Sequence, residues 1–350
     1  LLAVTLPLCR PLLTAMATPA EQMDYAFDYI FVIFIGMPAT ILYNMCACVL
    51  RALGDSKSPL RFLAIASGIN IVLDLLTVWG LGMGVRGAAI ATVVSQLGSG
   101  ALCLLYMKKH FPILRMTRED WRFRKEEALR LLGMGVPVGL QFSITAIGTI
   151  LVQSAVNALG AIYVSGVAVG SKLTQLYCCP YDALAMSASN FTGQNLGAGK
   201  YDRIRQGAYA CILLGAIYSV FQFLITQFGT RYAILLFAAP EEAARVLPYA
   251  QQLSSMDAYF ALALLLVDVL RLSIQGMGYS RLSLFSGLLE MTARTVVSLW
   301  AIPRYGYTAA CLANASAWVL ADCFLIPAFY GCLRARCRQA ERVRRELPTE

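Results

Sequence analysis

Apolar residues fall in long runs, each about the length of a bilayer-crossing helix. Nine stand out, at approximately 25–50, 59–82, 87–107, 133–157, 161–190, 207–228, 248–273, 282–302 and 308–331. A spanning helix needs about 20 mostly apolar residues. None of the runs alternates with the period of a barrel strand, so the pattern predicts an α-helical membrane bundle. Residues 1–16 look like the tail of one more helix. The opening LLAVTLPLCRPLL has no basic segment followed by a cleavage site, so it does not read as a signal peptide. It reads as a chain entered partway through a hydrophobic helix. Pro38 and Pro180 fall inside predicted helices and are expected to kink them.

Composition strengthens this picture. The 350 residues are 58% hydrophobic and 14% charged, against about 25% charged in soluble domains. The net charge of +9 would suit nucleic acid, but its distribution points elsewhere. Assigning alternate connections to one side places 21 Lys and Arg there, from Arg51 through the loop around Lys108–Arg130 to the tail at Arg334–Arg345. Only Arg86, Arg231, Arg245 and Arg304 fall on the other side. That asymmetry predicts a cytoplasmic C-terminus. It excludes nucleic acid as the reason for the charge, though the basic tail could still meet anionic lipid. The 11 Cys contain no CxxC pair. Cys46, Cys48, Cys178 and Cys179 sit in apolar runs, where Cys is a small packing residue. The one His, His110, lies in a basic loop and carries no assigned chemistry. Neither HExxH nor GxSxG is present, so no enzyme is expected.

A repeat runs through the chain at an offset of 224. RALGDSKSPL at 51–60 falls on QGMGYSRLSL at 275–284, and YAFDY at 25–29 on YAQQL at 249–253. After a two-residue gap, GVRGAAIA at 84–91 meets GYTAACLA at 306–313. Both matched loops fall on the predicted cytoplasmic side, so the halves are parallel repeats. The expected class is all-α: a polytopic membrane protein of two pseudo-symmetric helical bundles. Its divisions are a first lobe at 1–110, a basic loop at 111–131, a second lobe at 132–333 and a basic tail at 334–350. The parent architecture would have twelve helices, of which this chain holds part of the third and all of the fourth to twelfth.

Within the run NIVLDLLTVWG at 70–80, Asn70 and Asp74 share one helical face. An ionised carboxylate at bilayer depth costs about 2.5–3.5 kcal/mol on insertion scales. Asp74 must therefore face the bundle interior, bind a cation or take up a proton. Either the pair forms an ion site, or it is a polar knot holding helices together. Glu290 and Arg294 form a second spacing-of-four pair, and Asp268 and Arg271 lie on another predicted helix. Such pairs either neutralise one another structurally or serve transport. Lys172, early in the 161–190 run, either snorkels outward or faces a cleft. Gly54 and Gly278 follow helical runs, where glycine suits a C-terminal cap.

The lines RALGDSKSP at 51–59, N-x-x-x-D at 70–74, GMGVRGAAIAT at 82–92, GVPVGLQ at 135–141 and FTGQNLGAGKYDR at 191–203 together resemble the multidrug and toxic compound extrusion (MATE) family. The resemblance implies secondary active efflux of amphipathic, often cationic compounds, driven by a Na+ or H+ gradient. One branch, related to the DNA-damage-inducible exporters, places a cation site on residues matching Tyr29, Asn70, Asp74 and Thr92. It adds an Asp on a first helix that this chain lacks. A second branch uses a Glu on the segment matching 133–157, which has no acid here. Candidate substrate-cleft residues are Lys172, Asp268, Glu290 and Arg294. The expected protein is a monomer in the cytoplasmic membrane. Its partners would be small amphipathic molecules and lipid, without nucleic acid or any cofactor beyond the coupling ion. A lipid-linked oligosaccharide flippase and an inactive truncated transporter are the alternatives.

Overall fold

The computed structural model describes residues 2–15, 20–114, 120, 122–237 and 240–346. Arg115 and Arg118, and the side chains of Arg342, Arg344 and Arg345, counted above in the charge asymmetry, lie outside the described residues. The described chain is helical throughout, in two compact units, Leu1–Phe123 and Arg124–Glu350. Seven of the described helices are long and apolar enough to cross a membrane, and eight if a bent pair counts as one span. Many large exposed side chains are apolar, Trp79 (89% exposed) and Leu299 (71%) among them, as a lipid-facing surface requires.

The first unit contains α1 (Leu2–Ala15), α2 (Ala20–Ala52), α3 (Lys57–Asp74) and α4 (Gly84–His110). A π-helical turn, Leu75–Gly80, continues α3. α4 packs along both α2 and α3, which scarcely touch each other. Small residues permit the close approach. Gly36 of α2 lies against Val93, Gly100 of α4 against Leu42 and Tyr43, and Gly87 against Thr77. These contacts run α2 parallel to α4 and α3 antiparallel to it. Tyr43, Cys46, Leu50, Cys103 and Met107 form the core at one end.

The second unit contains α5 (Lys125–Asn157), α6 (Ala161–Gly197), α7 (Tyr201–Ala233), α8 (Pro240–Tyr259), α9 (Ala261–Gly276) and α10 (Ser280–Val296). A second π-helical turn, Val297–Ala301, continues α10 into α11 (Ile302–Tyr305), α12 (Tyr307–Cys311) and α13 (Ala313–Glu346). Ile204, Ile274, Leu325 and Phe329 knit α7, α9 and α13 together. Val156, Leu253 and Tyr307 join α5, α8 and α12.

The repeat is visible in the backbone. Gly54 (φ +91°) and Gly278 (φ +87°) both occupy the left-handed region. Around them the hydrogen bonds match one for one. Gly54 N–H donates to Arg51 O and Asp55 N–H to Leu50 O, at 3.0 and 2.9 Å. Gly278 N–H donates to Gln275 O and Tyr279 N–H to Ile274 O, at 2.8 and 3.1 Å. Each is a paired-bond helix end that needs a residue free of Cβ clash. Asp55 then caps α3, accepting from Lys57 and Ser58 N–H at 3.1 and 3.0 Å. The second loop is instead held by Arg336 of α13. That guanidinium donates to Met277 O through Nη2 at 2.6 Å and covers the Tyr279 ring at 4.8 Å.

Several sequence expectations change. The 161–190 run belongs to the longer, 37-residue α6, along which polar residues such as Lys172, Gln175 and Asp182 interrupt the apolar pattern. The run at 248–273 is two helices meeting at 55°. Phe260 leaves helical geometry there (φ −101°, ψ +14°), without Pro or Gly to announce it. Pro38 and Pro180 do lie inside helices, α2 and α6, as expected. Charged turns extend α5 back to Lys125 and α13 on to Glu346.

Candidate functional site

In the first unit, Asn70, Asp74 and Thr77 follow one another at spacings of four and three. They share the face of α3 and its π turn that meets Gly87 of α4. Thr92, Ser95, Gln96 and Ser99 form a polar stripe on α4 between the Gly87 side, which meets α3, and the Val93 side, which meets α2, and Ser95 and Ser99 are buried. Tyr29, seven residues before Gly36, shares the α2 face that packs on α4. Extending the Thr77–Gly87 contact along the antiparallel pair sets Asp74 level with about residue 90 and Asn70 with about residue 94, bracketing Thr92. The Gly36–Val93 contact sets Tyr29 about one helical turn further along than Asp74. Tyr29 is 38% exposed.

The polar atoms here are poorly satisfied. Asn70 Nδ2, Asp74 Oδ1 and Gln96 Oε1 are buried without a hydrogen-bond partner. Thr92 Oγ1 donates to Ala88 O at 3.0 Å, which leaves its lone pairs to accept or coordinate. No ion pair within the described residues reaches Asp74. A buried donor or acceptor left unpaired costs about 1–3 kcal/mol. A hard cation would draw the carboxylate, the amide carbonyl and the hydroxyl oxygens together. A proton on Asp74 would supply a donor instead. The π turn begins at the residue after Asp74, and such insertions recur at functional sites.

In the second unit, two pairs expected separately prove to be one network. Arg271 donates from Nη1 to Glu290 Oε1 at 2.6 Å and from Nη2 to Asp268 Oδ1 at 2.8 Å. Arg294 Nη1 stands 3.6 Å from Glu290 Oε2. Glu290 and Arg294 are buried, and Arg294 packs its Cδ against Gly148 of α5. Sequence reasoning missed the surrounding acids. Asp257 accepts from Thr174 Oγ1 at 2.9 Å and from Asn314 Nδ2 at 3.4 Å. It lies within electrostatic reach of Arg294. Asp322 of α13 and Asp182 of α6 lie within reach of Arg271. Lys172 does not join this network. It is exposed, with its Nζ 5.9 Å from the Phe237 ring centroid.

A family model described as MatE matches residues 1–76 and 137–343. The chain belongs to the MatE family. Its curated MatE relatives include the probable multidrug resistance protein YpnP of Bacillus subtilis (strain 168), 32% identical over 302 residues that cover 85% of this chain and 64% of that protein. YoeA of the same organism, also a probable multidrug resistance protein, is 27% identical, covering 66% of this chain and 51% of its own. The FAD transporter of Shewanella oneidensis is 28% identical, covering 62% and 48%. The chain thus spans about half to two thirds of the length of these relatives. Solved structures agree on the fold. An outward-facing multidrug resistance MATE family transporter matches with a TM-score of 0.86 at 19% identity, covering 96% of this chain and 75% of that one. A transporter of the same superfamily from Pyrococcus furiosus matches at 0.83 and 20%, with the same coverage.

Of the predicted site residues, Asn70 and Asp74 lie on the face of α3 that carries Thr77, and Thr92 on the polar stripe of α4. Asp268, Glu290 and Arg294 join a single ion network through Arg271. The stripe spacing from Thr92 could have revealed Gln96. Asp257 and Asp322 had no local signal, because their neighbours come from distant helices.

Proposed function

We propose that this chain is the main part of a secondary antiporter of the multidrug-efflux type. It would export amphipathic, often cationic compounds in exchange for Na+ or H+ by alternating access. One observation carries the reading: Asn70 Nδ2 and Asp74 Oδ1 are buried and unpartnered on the face of α3 that carries Thr77 and meets α4. Asp74 is the ion-binding carboxylate, Asn70 and Thr92 supply neutral oxygens, and Tyr29 is the outermost member of the set. The protein works in the cytoplasmic membrane with its C-terminus inside, an orientation supported by the asymmetry of Lys and Arg. The names of the relatives define the substrates to try: cationic dyes first, and FAD as an anionic contrast. The flippase alternative wants free cations in a cleft: Arg271 bonds two carboxylates and Arg294 lies beside one, which leaves Lys172 as the candidate such a reading would need.

The test is transport by the full-length protein in everted membrane vesicles. Asp74→Asn is expected to abolish gradient-driven dye accumulation while the protein still folds and inserts. Undiminished accumulation would remove Asp74 from the coupling step.

A further inference from the structure

The two units share a local plan but fill it with different chemistry. Asn70 and Arg294 are repeat partners at offset 224, and each helix passes into a π turn within five residues of that position. Thr92 and Asn314 are partners at the offset of 222 that follows the gap. In each unit, an acid sits four residues from the marked position: Asp74 after Asn70, and Glu290 before Arg294. In the first unit no cation among the described residues pairs with the acid. In the second it has two guanidiniums, Arg271 bonded at 2.6 Å and Arg294 beside it at 3.6 Å.

We propose that Arg294 is a tethered cation, holding in the second unit the place that an exchangeable ion takes in the first. The proposal rests on reading Asp74 as the ion site. It makes the chain bind one coupling ion, at Asp74, with the second unit permanently occupied. Four observations support it. Arg294 Nε and Nη1 are buried and make no hydrogen bond, so the group is held by charge among oxygens, as a bare ion is. Its nearest carboxylate oxygen is Glu290 Oε2, at 3.6 Å. Asn314, the partner of Thr92, orients Asp257, which faces Arg294 electrostatically. The side chain is wedged as well. A Cβ on Gly148 would come within 3.2 Å of Arg294 Cδ. An arginine cannot lose its charge in a protein or leave on a gradient. The lobe that carries it is fixed, and the other is left to exchange.

The experiment is equilibrium binding of radiolabelled Na+ to the purified protein, with choline replacing Na+ at constant ionic strength. Asp74→Asn is expected to lose the bound ion. Adding Arg294→Asn sets an amide four residues from Glu290 and removes one of the two cations beside it, leaving Glu290 Oε1 on Arg271 and Oε2 open, and is expected to restore about one Na+ per chain. Adding Arg294→Lys, which keeps a fixed charge, is expected to restore none. A folded D74N/R294N protein that binds no more Na+ than D74N would overturn the proposal. Undiminished binding in D74N would instead fault the assignment of Asp74, leaving the increment from R294N to decide Arg294. If D74N/R294N fails to fold, the measurement moves to D74N/R294A in native membranes. There methylguanidinium, and not choline, is expected to raise the melting temperature, and no difference between the two would overturn the proposal.

Discussion

In the first unit, α3 brings an amide and a carboxylate to its contact with α4 and leaves atoms of both without partners. In the second unit, α10 brings a carboxylate and a guanidinium into a network that already includes Asp268 and Arg271. One architecture thus serves two ends. A site that must take up and release a small ion needs unmet bonding capacity. The second site has unmet groups as well, Arg294 Nε and Nη1 and Asp322 Oδ1, but its buried Glu290 stands between two guanidiniums and can hold helices together.

The contrast breaks most sharply through paired substitutions. Asp74→Asn is expected to abolish gradient-driven efflux with little change in stability, because it replaces an unpaired acid with an isostere. Glu290→Ala is expected to act on stability first. Removing one partner of a buried ion pair costs about 3–5 kcal/mol, read as a lower unfolding temperature in detergent. If Glu290→Ala leaves that temperature unchanged, the matched-charge account of the second unit fails.

A smaller effect is expected at the helix contact beneath the first site. A Cβ on Gly87 would meet Thr77 Cβ and Oγ1 at 3.0 Å. Gly87→Ala then pushes α3 from α4 at a cost of about 1–3 kcal/mol and weakens ion binding at Asp74 along with it. Gly68→Ala, in open space on the same α3, is the control and should change neither.

The smallest effect distinguishes the two matched loops. Asp55→Ala removes a helix cap worth about 0.5–2 kcal/mol. The hydroxyl and backbone N–H of Ser58 hold the Asp55 carboxyl below its usual range. Its stabilisation is therefore present at neutral pH and fades as pH falls from about 4. The gap in stability between wild type and D55A should close over that interval. The loop at Gly278 has no such carboxylate, since Tyr279 stands there, and Arg336→Ala should weaken it with no dependence on acid pH.

Hydrophobic runs were enough to place the long helices, because a stretch such as 59–82 has no other way to satisfy its backbone in lipid. They could not show where charged turns extend a helix, as before residue 133 or after 333, since hydropathy falls there while helix propensity does not. The bend at Phe260 and the two π turns arise from shifts in backbone bonding that leave no residue signature. In the candidate site, Asn70 and Asp74 stood out because polar residues are rare in such a run. Gln96 did not, as part of a mixed stripe. Glu290 and Asp268 were each legible with a local partner, but their union through Arg271 depends on how α9 and α10 fold together.

The final helix has a mechanical consequence. At 34 residues, α13 is about 51 Å long, some 20 Å more than a hydrocarbon core is thick. Its base is seated by Leu325 and Phe329, and Arg336 pins it to the loop at Met277. The overhang is therefore a pointer on a firm pivot. A tilt of roughly ten degrees at the base sweeps the tip through about 3–4 Å for that overhang, so a spin label in the last turn before residue 346 would turn small rotations of the bundle into a readable displacement.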